Sequence, residues 1–210
     1  MIDDSDRIRR LFEEIPSRFY EIEVEMNPTK DFKIRHHSDR FGTLHVEIPD
    51  YFEDAPDDVI SDMARLILER RVGNNHSLRE ATLAWMFSDS RLDKWQPKFM
   101  RRWASCRDEG TFVDLKASAE RVSKVVDIPP KTKICWVSHL GHNSGSVHPS
   151  PRVIMISDIL DKDDVPGEVV DYVVAAHVMR LRETIGLSRG SYPMAESAKW
   201  WMARRGINLV

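Results

Sequence analysis

Cysteine is scarce in this 210-residue chain, glycine is sparse, and no apolar run approaches the roughly 20 residues that a membrane-spanning helix requires. Each shortage excludes something. Two cysteines, Cys106 and Cys135, cannot form a disulfide framework, and both are read as free thiols. The glycines Gly141 and Gly145 lack the lysine and the helix entry of a phosphate-binding loop. No strand–turn–helix nucleophile elbow is present. The start, MIDDSDRIRRLFEE, is charged where a secretory signal would be apolar, so the expected location is cytoplasmic, with no membrane partner.

What is present is 41% hydrophobic and 31% charged, enough to bury one sizeable core or two small ones. Residues 1–100 carry 15 basic against 21 acidic side chains, and residues 101–210 carry 16 against 13. That asymmetry is far from the clustered basicity of a dedicated nucleic-acid domain.

The chain also says something twice. Residues 32–73 and 133–186 share, in order, a β-like run, a glycine-containing turn, a second β-like run ending in Ile-Pro-Asp or Ile-Ser-Asp, an acidic turn with Pro56 or Pro166, and a long helix. Proline at the first helical turn followed by Asp or Glu suits the missing amide hydrogen and the positive end of the helix dipole. Helical patterns precede each hairpin at 5–15 and 113–126, and others follow at 77–87 and 194–204. The expected architecture is α+β: two pseudo-repeats of helix, strand, strand, helix, helix, at 1–100 and 101–210. The long helices, 56–71 and 166–185, are expected to pack in one shared core, because two units bury more apolar surface than one.

The run EVVDYVVAAHVMRL, from Glu168 to Leu181, follows a hairpin, a turn and a proline. In this it resembles the SprT-like and YgjP-like zinc metallopeptidases, zincins whose corresponding helix carries the HExxH ligands. The match of Glu168 to Val174 to their lead-in sets the register: Ala176 and Arg180 stand where the histidines would be, and His177 where the glutamate would be. In the first copy Leu66, Ile67 and Arg70 occupy those places. Asn75, His76 and Ser77 resemble the Asn-His-Ser that supplies a third ligand in the YgjP-like proteins, and RRWASCRDEGTF, from 101 to 112, resembles their Arg-Trp-Gly-Ser-Cys hairpin. The resemblance implies the fold without the peptidase chemistry.

Each candidate has two readings. His177 falls in line with Val170, Val173, Val174 and Leu181, and the stripe reads as core. Arg70 and Arg180 could pair a carboxylate in a vacated metal pocket or stand in solvent with Glu69 and Glu183 nearby. Cys135, His139, His142 and His148 fall within fourteen positions and could ligate zinc, though a hairpin turn rich in His, Asn, Ser and Gly is ordinary. Trp95 and Trp103 stand among Lys98, Arg101, Arg102 and Arg107, and Trp200 and Trp201 among Lys199, Arg204 and Arg205. Both stretches read as single-stranded nucleic-acid contacts or as amphipathic helices with buried tryptophans. The functional expectation is a catalytically inactive metallopeptidase-like protein, without a cofactor, acting as a binding or scaffold module for a protein partner. The alternatives are a zinc peptidase with displaced histidine ligands and a nucleic-acid-binding accessory protein.

Overall fold

A computed structural model describes residues 4–28, 33–70, 77–103, 105–138, 140–192 and 196–209. The protein is α+β, with two three-stranded sheets and seven α-helices among the described residues. Contacts divide the chain into two units, 1–91 and 92–210, with the division inside a helix.

In the first unit α1 (Asp4–Glu13) precedes β1 (Glu21–Asn27), β2 (Arg35–Ser38) and β3 (Thr43–Pro49). A 3₁₀ turn, Asp50–Phe52, then leads to α2 (Asp57–Arg70) and α3 (Glu80–Met86). β3 is central, parallel to β1 and antiparallel to β2. Leu44, Val46 and Ile48 are buried along β3, and Ile22 is buried on β1, the period of two that a sheet with one covered face requires. α1 contributes Ile8 and Phe12, and α2 contributes Val59, Ile60, Met63, Ala64, Ile67 and Leu68. Arg91 closes this unit by stacking on Trp85 and Tyr51 while donating to the Asp54 carboxylate and the Tyr51 carbonyl.

The helix that follows, α4 (Asp89–Arg102), crosses the division. The second unit continues through α5 (Leu115–Ser123), β4 (Lys133–Val137), β5 (Gly145–His148), β6 (Val153–Ser157), a 3₁₀ turn at Asp158–Leu160, α6 (Gly167–Thr184) and α7 (Glu196–Arg204). The pairing repeats that of the first sheet: β6 is central, parallel to β4 and antiparallel to β5. Every residue of β6 is buried, because both faces are covered. Trp136, Ile154 and Ile156 share the core of α5, α6 and α7. On the opposite face His148, in register with Val153, packs against Phe99 and Trp103 of the α4 segment.

The repeat thus holds as an order of elements, with a correction to its unit. Each copy has three strands rather than two. By pairing, β4 corresponds to β1, not to β2 as the sequence alignment placed it, and β5 corresponds to β2. The strands left out were β1, whose Glu-Ile-Glu-Val-Glu alternation carries only two apolar residues in its first five, and β5, whose Gly-Ser-Val-His lay within the expected turn, so that the expected second hairpin, β4 with β6, is a parallel pair. The prolines also sit one place earlier than expected: α2 begins at Asp57, and Pro166 is the extended cap residue before Gly167.

Candidate functional site

On α6, Ala176 is half-buried, His177 is 1% exposed and Arg180 lies in solvent. On α2, Leu66 is half-buried and Ile67 is buried, while the Arg70 side chain and His76 lie outside what the structure describes. His177 Nδ1 lies 2.8 Å from the Val173 carbonyl one turn back, which makes Nδ1 the protonated nitrogen. Nε2 has no hydrogen-bond partner and abuts Gly145, where an added Cβ would stand 2.8 Å away. Burial pushes the His177 pKa below its ordinary value, against the pull of the Val173 and Gly145 backbones, so the ring is neutral at pH 7. Ile67 on α2 and His177 on α6 are both buried.

Of the four candidate zinc ligands near β4 and β5, the three that the structure describes, Cys135, His142 and His148, are not brought together as a metal site. Cys135 is bonded to Cys106, which corrects the reading of both as free thiols. The two-way backbone bridge between Arg107 and Trp136, 2.9 and 2.8 Å, sets the neighbouring cysteines 5.6 Å apart at Cα, a spacing that a disulfide spans. His142 is exposed, His148 is buried between Phe99, Trp103 and Ser146, and His139 lies outside the described residues. Among the described residues no group of three or more His, Cys, Asp or Glu is placed to hold a metal ion.

The two tryptophan stretches part company. Trp95 is fully buried, and Trp103 is half-buried and packs on Phe99 and His148. On α7, Trp201 is buried beneath Arg205, itself 2.8 Å from Asp164, whereas Trp200 is 61% exposed with Arg204 over its ring.

A feature the sequence reading passed over is an open cleft of about 810 Å³ in the second unit, between residues 108–116 and the outer edge of β4. Its far wall is built on one carboxylate. Asp161, at the end of the 3₁₀ turn after β6, accepts from the amides of Thr111 (2.7 Å), Phe112 (2.9 Å) and Val113 (3.0 Å). Burial raises its pKa, but these three amides and the nearby Arg107 outweigh that and hold it below the usual carboxylate range. Gly110 makes the turn possible: a Cβ there would stand 2.3 Å from the Val113 carbonyl and 2.6 Å from Trp136 Nε1. Asp114 then caps α5 through the amides of Lys116 and Ala117.

The near wall is a strand edge. Lys133 donates its amide to Arg152 on the β6 side, and Trp136 exchanges both backbone bonds with Arg107 on the opposite side. Alternation along β4 therefore turns the N–H and C=O of Ile134 outward, to the side on which Arg107 pairs with the strand. Leu115, Ile128 and Ile134 line the cleft, and Phe112, 59% exposed, stands at its lip. The sequence signals were an acidic Asp-Ile-Leu-Asp turn after a buried strand and a glycine five residues before a helix. Neither is specific enough to have been chosen.

No family model matches the chain, and neither a curated protein nor a solved structure matches it. No helix of the described residues is long and apolar enough to cross a membrane.

Proposed function

We propose that the protein is a binding module on a metallopeptidase-like frame. In this reading α6 has become core, and the cleft beside β4 receives an extended segment of a protein partner. The observation that carries it is the outward pair of Ile134 backbone groups, continuing the edge on which Arg107 already pairs with Trp136. An incoming strand would take up those two groups and lay alternate side chains against Ile128 and Phe112, the β-addition mode of peptide recognition. The inactive reading draws on His177: a zincin glutamate must face a metal and its water, and this imidazole faces Gly145 inside the core. The proposal keeps the cytoplasm as the compartment.

The test is selection from a displayed library of random dodecapeptides, followed by titration against Phe112→Ser. That exposed side chain can be removed without opening the core. Affinity is expected to fall about tenfold, equivalent to about 1.4 kcal/mol. Equal affinity for both proteins would overturn the cleft as the site. Zinc-dependent hydrolysis of casein that disappears in His142→Ala would restore the displaced-ligand peptidase. Salt-sensitive binding of oligothymidylate lost in Trp200→Ala would favour the nucleic-acid reading instead.

A further inference from the structure

We propose that Cys106 and Cys135 form a reversible thiol–disulfide clasp that sets the order of the cleft wall. The proposal deepens the binding reading, since the bond ties the near wall of the cleft to the segment leading into the far wall. Cys135 lies on β4 beside Ile134, and Cys106 stands two residues before Asp108, where the lining segment begins. Besides the bond, β4 is held by its pairing with β6, and the segment after Cys106 by the Arg107–Trp136 bridge, the Lys133–Asp108 ion pair at 2.9 Å, the approach of Arg107 to Asp158 and Asp161 at 4.0 and 3.9 Å, and the hold of Asp161 on residues 111–113. Breaking the bond leaves these contacts to keep the wall, and the Lys133–Asp108 pair among them lies at the surface.

The two sulfurs differ in access. Cys135 is 0% exposed in the face covered by α4, whereas Cys106 is half-buried and lines a shallow surface concavity with Met100, Arg107, Asp108, Glu109 and Lys133. A reducing thiolate can therefore reach Cys106 Sγ from solvent. Its attack forms a mixed disulfide and expels the Cys135 thiolate, which takes a proton. The second thiol of a dithiol reductant, as thiolate, then attacks its own sulfur in the mixed disulfide, leaving as a cyclic disulfide and releasing Cys106, which is protonated. Closure runs the other way: the two thiols give up two protons and two electrons to a small disulfide such as oxidised glutathione, which leaves as two thiols.

Three measurements on the full chain test the clasp without any cleft ligand, so its failure is distinguishable from failure of the binding reading. Thiol counting under native conditions is expected to give none after treatment with oxidised glutathione and two after dithiothreitol. Hydrogen exchange is expected to quicken at least tenfold in residues 105–116 and 133–137 on reduction, with α6 unchanged, and to return on reoxidation. Cys106→Ser, which leaves the buried Cys135 in place, should match the reduced wild type in both redox conditions. Two thiols that resist oxidation, a bond that dithiothreitol opens only in denaturant, or exchange in 105–116 indifferent to redox state would each overturn it.

Discussion

His177 and Gly145 share a contact that neither could keep alone. The imidazole donates from Nδ1 to a helical carbonyl, and Nε2, without a hydrogen-bond partner, lies against Gly145. His177→Ile should therefore cost about 1.5 kcal/mol or less in denaturant titration, as a volume-conserving swap. Gly145→Ala should cost more, about 2 kcal/mol, because its methyl would stand 2.5 Å from the Met155 carbonyl and 2.8 Å from Nε2. The ring also sets a pH dependence. Its folded pKa lies below the unfolded value of about 6.5, so as pH falls through that value the unfolded chain binds a proton that the native state refuses. Stability should be level with respect to this group above pH 7 and should decline below about 6.5 until the lowered folded value is reached. His177→Ile should remove that decline; an unchanged slope between pH 7 and 5 would place the linkage elsewhere. The 3.6-residue stripe made the burial of His177 legible from sequence, while its contact with Gly145, 32 positions away, depends on how β5 packs under α6.

Helix α5 is fastened to α6 by Asp171, which accepts from Ser118 Oγ at 2.6 Å and from two nitrogens of Arg121 at 2.7 and 2.8 Å. Asp171→Ala leaves the Ser118 hydroxyl buried without its acceptor and is expected to cost about 2–3 kcal/mol. Asp161 does the equivalent work for the cleft loop. Asp161→Ala should free three amides and raise exchange in residues 108–114, with a similar loss of stability, while Asp161→Asn, keeping one acceptor oxygen, should lose less. Exchange in that loop equal to wild type would mean that the wall is held some other way. The long helices, the hairpin β2–β3 and the strands β4 and β6 were readable because apolar period and turn residues agree there, but β4 and β6 pair in parallel and β5, read as turn, is the strand antiparallel to β6. β1 was not readable, because a strand of alternating glutamates resembles a polar linker; the amphipathic helix that buries Trp95 was one of the two readings of its stretch, but the strand face that α4 covers was not legible.

Two units with one strand order arise from a sequence whose halves share few identities, because the repeated features are the ones that set topology: a buried central strand, an acidic 3₁₀ turn and a proline before a long helix. What differs between the units is where chemistry could enter. Only the second has the disulfide and the cleft. On the chain-entropy model, a bond closing a loop of sequence separation 29 is worth about 3–4 kcal/mol, so reduction should lower the denaturation midpoint measured by probes in residues 92–210. A midpoint unmoved by reductant would mean that the bond adds nothing to the fold. The two cysteines were visible in sequence, but their pairing was not, because it depends on the Arg107–Trp136 bridge between segments that no local pattern joins.

The cleft's role as a receptor for an extended segment is tested most directly by hydrogen exchange at the Ile134 amide, measured with and without a dodecapeptide selected for binding. An added strand must accept from that amide, so its exchange is expected to slow at least tenfold in the complex, together with protection in residues 111–116. Peptide binding that leaves Ile134 exchanging at its free rate, with protection at α7 or in residues 1–91, would contradict the assignment of the cleft.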